Sequence, residues 1–304
     1  MSQFRRIMLV TVGKAQRSPA LERAIRLANA SGAALHVCVL DEAGSAPDRE
    51  ALLQERRLWF KEEAQLLDAP NPQFTTEAIS DSDPLGEILA HAVEFEADLL
   101  IKDVDPETPA RRLLLARLDW HLLRDCPIPL LLVHMGAHAL PKRIVAAVDL
   151  DDDESLNRHI VEQALALAIQ SNADLHLATV FDPLAAAEAL PPLVPNLRPD
   201  QYASLSKGSR TAFDSFAADY GVPHPRRHFL LGTFKRSMRE LTQHSQADVL
   251  VLGTAGHKGL EHLMLGGSAR ALLDHVRCDV YAVKPPALAE KLRQRIRDRA
   301  SRRG

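Results

Sequence analysis

Cysteine is scarce in this chain: 304 residues hold three, Cys38, Cys126 and Cys278. They are widely spaced, each lies in or beside an apolar segment, and no Cys-x-x-Cys pair exists. That excludes a disulfide framework and a thiolate metal site, and it leaves buried free thiols as the reading. Long apolar runs are missing as well. No window approaches eighteen uninterrupted apolar residues, and Met1-Ser2-Gln3-Phe4-Arg5-Arg6 leads straight into a strand-like run without a separate apolar leader core. A membrane span is therefore excluded and a cytoplasmic location is expected. Net charge is small, −3, so nothing global points to nucleic acid or to a strongly acidic partner. No Ser/His/Asp order sits on a nucleophile elbow, which removes the main support for nucleophilic hydrolysis.

What is present is ordinary globular composition, 46% hydrophobic and 25% charged, with room for about two domains. The chain also repeats itself. Ala97-Asp98-Leu99-Leu100-Ile101-Lys102-Asp103 aligns with Ala247-Asp248-Val249-Leu250-Val251-Leu252-Gly253. The run Arg6–Val12 resembles Arg143–Val148, and Leu35-His36-Val37 resembles Leu175-His176-Leu177. A repeat this long is a whole domain copied, not a solenoid unit. The join falls near Met135–Pro141, which divides the chain into residues 1–137, 138–286 and a tail, 287–304.

Each half alternates strands with helices. Ile7–Val12 is apolar throughout, as a strand buried on both faces should be, and Leu21, Ile25, Leu27 and Ala28 give helical spacing behind a Ser18-Pro19 start. The pattern predicts further strands at Leu35–Leu40, Phe74–Ile79, Asp98–Ile101 and Pro129–Val133. Helices are expected near Arg49–Leu67, from Asp83-Pro84 to Phe95, and around Trp120–Leu123. Parallel strands need helical crossovers, so the expected fold is α/β: two tandem five-stranded parallel sheets, each covered on both faces. Such sheets bind ligands at the carboxyl ends of their strands.

The strand Asp248–Leu252 runs into Gly253-Thr254-Ala255-Gly256, and nine residues later comes Gly266-Gly267-Ser268, followed by Ala269 at the start of a helix-like run. Glycines let backbone N–H groups close on an anion, and a helix N-terminus adds favourable polarity. A turn that only joins strand to helix is the plainer alternative for a short glycine motif. Asp149, after Ile144–Val148, stands at a neighbouring strand end. The order strand–Asp149, then Val180-Phe181-Asp182, then Gly253-x-x-Gly256-x9-Gly266 is similar to the nucleotide-binding pattern of the universal stress proteins. The segments Asp119–Pro127 and Leu265–Ala269 resemble the tandem-domain E group of that family, and the resemblance covers nearly the whole chain.

That resemblance implies a Rossmann-like fold of the adenine nucleotide alpha hydrolase type. It also implies ATP or another adenine nucleotide, with or without Mg2+, as ligand. The implied contacts are Ala147, Val148 and Asp149 for base or ribose, Val180 for adenine, Leu252, Gly253, Ala255 and Gly256 beside the phosphates, and the turn Gly266, Gly267, Ser268, Ala269 around them. Gly267 and Ala269 stand where the family pattern has Ser or Thr, so backbone donors remain while hydroxyls are lost. In the first half Gly13 takes the slot of Asp149, and Lys102–Ala110 holds no glycine and several carboxylates, which repel phosphate. The expectation is nucleotide in the second half only, with no catalytic side chain. The alternatives are a nucleotide-independent scaffold or carrier of an apolar ligand, and a slow ATP hydrolase. The family further implies that Pro129–Val133 and Val280–Lys284 meet inside one chain as a pseudo-dimer; a homodimer of chains stays open.

Other residues carry plainer readings. Asp119 is expected to cap a helix, with Trp120 and His121 packed beneath a loop. His257, His262 and His275 lack the spacing of a metal-binding helix face and read as solvated. Asp152 or Asp153 reads as a helix cap. The proline-rich Leu184–Pro199 is a long insertion suited to a lid or a partner surface. From Lys291 the tail holds Lys291, Arg293, Arg295, Arg297, Arg299, Arg302 and Arg303 against Asp298, enough for weak, salt-sensitive contact with nucleic acid or an anionic surface, and is expected to be a frayed, solvated extension.

Overall fold

A computed structural model of the chain describes residues 4–12, 16–40, 49–67, 73–79, 83–104, 115–134, 140–150, 154–183, 199–254 and 276–302. The first half contributes β1 (Arg6–Val12), α1 (Pro19–Ser31), β2 (Ala34–Leu40), α2 (Arg49–Leu66), β3 (Phe74–Ile79), α3 (Pro84–Glu94), β4 (Leu99–Asp103), α4 (Leu115–Asp125) and β5 (Leu130–Val133). The second contributes β6 (Arg143–Ala147), α5 (Glu154–Ser171), β7 (Asp174–Phe181), α6 (Pro199–Asp219), β8 (Arg227–Leu231), α7 (Phe234–His244), β9 (Val249–Gly253), β10 (Asp279–Val283) and α8 (Pro286–Ala300).

The strands form one ten-stranded sheet in the order β3-β2-β1-β4-β5-β10-β9-β6-β7-β8. Pairing is parallel within each half, and the halves meet where β5 and β10 run antiparallel, with Tyr281 opposite Leu131. Local signals explain the helix starts. Ser18 Oγ accepts from Leu21 N at 3.2 Å and Pro19 fixes the first turn of α1, which ends on Gly32 at φ 68°, a conformation that suits a residue without a side chain. Asp83 Oδ1 accepts from Gly86 N at 3.1 Å and starts α3 in the same way.

The core is divided unequally between the faces. Under α1, α2, α5 and α6 a single apolar cluster runs across both halves, from Leu9 and Ile101 through Leu131 and Tyr281 to Ile144 and Val249. On the opposite face there are two clusters, one centred in each half. Met8, Ile88 and Leu122 belong to the first, Val145, Met238 and Leu250 to the second, and Trp120 of α4 packs against the second although it belongs to the first half. The three cysteines are buried and unbridged, and burial raises all three thiols, Cys126 to about 11 and Cys278 to about 12. No helix among the described residues is long and apolar enough to cross a membrane.

Two expectations are corrected here. Asp119 does not cap a helix: it lies inside α4, buried, with Oδ1 2.8 Å from Lys102 Nζ. The tail is not a frayed extension. Pro285-Pro286 starts α8, whose Ala289 and Leu292 are buried; Ile296 packs against the first-half core, and Arg299 Nη2 donates to Asp83 Oδ2 at 2.9 Å. Apolar residues at 289, 292 and 296 follow helical spacing, so one face had a core to join.

Candidate functional site

In each half the first strand has its successor on one side and the fourth strand on the other, both parallel to it, so the order in which strands are added reverses between β1 and β4 and again between β6 and β9. That reversal opens a crevice at the strands' carboxyl ends, the place where open α/β sheets receive ligands. In the second half Asp149 follows β6, Val180 lies near the end of β7, and Gly253 ends β9. The topology therefore sets these three at adjacent strand ends. Ala255, Gly256, Gly266, Gly267, Ser268 and Ala269 lie outside the described residues, as do His257, His262 and His275, Asp152 and Asp153, and most of the insertion Leu184–Pro199.

The residues around Asp149 divide into buried supports and one polar end. Ala147, Val148 and Leu252 bury their side chains in the core, which leaves only their main chains at the strand ends. Val148 N already donates to Ala178 O at 2.9 Å. Asp149 N donates to Asn157 Oδ1 at 3.0 Å, and Asn157 Nδ2 returns a bond to Asp149 O at 2.5 Å. The buried amide of α5 thus locks the main chain at residue 149 and sets where its carboxylate begins. Both N–H groups are spent internally, and the Asp149 side chain and the half-buried Val180 stand beside them at the strand ends.

Gly253 has a packing reason of its own. A Cβ there would stand 3.0 Å from Leu156 Cδ2 and 3.1 Å from Ile160 Cδ1. The first turns of α5 press against the strand end, and any Cβ would make the ends of these two side chains give way. Thr254, the next residue, is buried; its N donates to Val283 O at 2.8 Å. Lys284 is buried behind it at the end of β10, with Nζ donating to Thr254 Oγ1 at 3.1 Å and to Leu123 O of α4 at 2.6 Å. Among the described residues no carboxylate lies within ion-pair distance of this ammonium, and burial lowers it to about 8. Sequence reading passed over Lys284 and Asn157. A usable signal existed for the first, a lysine closing a strand that is otherwise apolar.

The first-half crevice is chemically different. Lys102, 1% exposed, occupies the slot of Leu252 and is neutralised by Asp119 at 2.8 Å. Asp103, in the slot of Gly253, accepts from Ala20 N at 2.9 Å. Together with Ser18 on Leu21 N, this carboxylate takes up donors at the N-terminus of α1 that an incoming anion would need. The first crevice contains its own anion.

Among the described residues no group of three or more His, Cys, Asp or Glu side chains could hold a metal ion. Comparison with known proteins completes the picture. The model of the universal stress protein family matches the chain twice, over residues 3–134 and 141–284. Universal stress protein E of Salmonella typhi is 26% identical over 308 aligned residues, covering 94% of this chain and 96% of its own length. The crystal structure of a functionally unknown protein from Pseudomonas aeruginosa PAO1 superposes with a TM-score of 0.74 at 24% identity, over 96% of this chain and 97% of that one. A universal stress protein from Archaeoglobus fulgidus DSM 4304 gives 0.58 at 16% identity, over 91% and 96%.

Proposed function

The chain belongs to the universal stress protein family, and from that premise we propose that it is a cytoplasmic stress-response protein whose second half binds an adenine nucleotide at the β6/β9 crevice. The ligand is ATP or a smaller adenine nucleotide, with or without Mg2+ on its phosphates, and the protein acts through conformation or partner binding. What supports this reading is the different charge of the two crevices. In the first half the lysine is neutralised by Asp119 and a second carboxylate fills the donors. In the second, Lys284 sits behind Thr254 with a hydroxyl and a carbonyl as its partners among the described residues, and Gly253 brings no carboxylate. A buried cation without a counter-ion favours an incoming anion. Asp149, Val180, Leu252 and Gly253 would frame the base, the ribose and the first phosphate, with Ala255, Gly256 and Gly266–Ala269 as the expected remainder of the cradle.

Isothermal titration of the full chain with ATP and with ADP is the test. One site per chain is expected, with Asp149→Ala and Lys284→Met each weakening it by about tenfold, the loss of one screened polar contact. Absence of heat with wild type overturns the proposal, and two sites per chain overturn the assignment to the second half. A second reading, a scaffold or apolar-ligand carrier that needs no nucleotide, draws on the packing role of Gly253 and on the internally used N–H groups at 148 and 149. Mass spectrometry of gently purified protein separates the two, by release of a nucleotide or of a lipid.

A further inference from the structure

We propose that the outward face of α8 is a docking surface for the phosphate backbone of duplex nucleic acid, bound without reading sequence. The helix sorts its cations. Arg293 and Arg297 lie against Glu290 at 3.4 and 3.7 Å, and Arg299 bonds to Asp83. Lys291, Arg295 and Arg302 have no such partner among the described residues, and these three line one shallow groove of about 570 Å³ with Gln294, Asp298 and Arg299. The one carboxylate in the groove, Asp298, accepts from Gln294 Nε2 at 2.7 Å. At 100° per residue, positions 291 and 295 lie about 40° apart, the core-facing 289 and 296 stand about 100° or more from both, and Leu292 borders them; Arg302, in the turn just past the helix, joins them in the groove.

Simpler reasons for the cations do not hold. Cations complement the last turn of a helix, which accounts for Arg297 and Arg299, but Lys291 sits in the N-terminal half of α8, where the helix polarity disfavours positive charge. Exposure of Lys291, Arg295 and Arg302 rules out stems spent on covering the core. The occupant follows from what the face lacks. The groove is lined by no large apolar side chain that could enter a lipid surface and by no aromatic ring on which an unpaired base would stack, so the chemistry on offer is ionic contact with a regular row of phosphates. From Lys291 to Arg302 the face runs about 16 Å, along which one strand of a duplex presents about five phosphates at ~3.4 Å rise.

The experiment is fluorescence anisotropy of a labelled duplex of about 20 base pairs with the full-length chain, at about 50 mM and about 200 mM salt. Three phosphate contacts give an expected loss of affinity of about 40-fold between those salt concentrations. The triple variant Lys291→Gln, Arg295→Gln, Arg302→Gln should lose most of the binding at low salt and retain the wild-type melting temperature. Arg293→Gln, changed beside the core-facing side of the helix, should bind as wild type. The proposal is overturned by any of three results: no binding by wild type at low salt, equal binding by the triple variant, or capture by anionic phospholipid vesicles with none of the duplex.

Discussion

Lys102 lies on β4, the fourth strand of the first half, and Lys284 just past β10, the fifth strand of the second; both are buried, yet the chain treats them oppositely, and the difference is measurable at the level of one side chain. Lys102 is 1% exposed and paired with Asp119, so removing one partner strands a buried charge. Lys102→Met should cost about 3–5 kcal/mol in urea unfolding, whereas Lys102→Met with Asp119→Leu should recover most of that loss. A single variant no less stable than wild type would show that the pair is not buried in solution. Lys284 is a different case, because burial holds it at about 8 against an ordinary 10.5. Between those values the unfolded chain binds more protons than the folded one, so this group's contribution to stability rises with pH across that window. The stability difference between wild type and Lys284→Met should therefore shift in favour of wild type from pH 8 to 10.5. A difference that stays flat across those unfolding midpoints would remove the buried ammonium. Gly253→Ala is a third single-residue case: a Cβ at 3.0 Å from Leu156 Cδ2 pushes on flexible side-chain ends, so a loss of about 1 kcal/mol is expected by the same measurement.

At the scale of elements, strands and most helices could be read directly, because apolar runs and caps are local. Ser18-Pro19 and Asp83-Pro84 start helices where a side-chain oxygen meets an N–H three residues on, and nothing distant is needed. Asp119 was misread because its environment is not local: the same residue type caps a helix or pairs with a buried lysine, and only β4 packed under α4 decides. Asn157 stayed hidden for that reason, and α8 was underestimated because its charges outnumber the three apolar residues that dock it. The outer strands carry a further non-local contact. His176 of β7 and His228 of β8 stack at 5.2 Å, with Nδ1 and Nε2 2.9 Å apart. One nitrogen must donate and the other accept, so the pair cannot keep this bond with both rings charged. Burial, and for His176 its neighbour His228, lower both histidines, His176 to about 4. The unfolded chain then binds more protons between about 4 and 6.5, and stability from this pair is lost as pH falls through that range. Unfolding midpoints at pH 7 and pH 5 should differ less for His228→Gln than for wild type; an unchanged difference would place the acid sensitivity elsewhere.

For the whole molecule, the two halves do not merely sit side by side. One sheet and one apolar cluster cross the join, and the join also contains a buried ion pair: Arg23 of α1, 0% exposed, has Nη1 2.9 Å from Oδ2 of Asp279 in β10, 1% exposed. Asp279 Oδ1 accepts from His134 N at the end of β5, and burial pushes this carboxyl up to about 6 even though Arg23 pulls it down. Beside it Tyr281 Oη donates to Gln163 Oε1 of α5 at 2.9 Å. Desolvating two charges costs several kcal/mol, so the pair is a poor stabiliser compared with an apolar replacement, but a strong penalty falls on any arrangement that separates its members. Separation of the halves is such an arrangement, since it opens the shared core and exposes β5 and β10 as bare edges. Calorimetry of the full chain should therefore show one cooperative transition. Arg23→Ala and Asp279→Ala should each lower the melting temperature, by less in combination than the sum of the two, because the second substitution removes a charge that the first left unpaired. Two resolved transitions in wild type, or strict additivity of the variants, would mean that the halves fold as independent units and that the ion pair does not couple them.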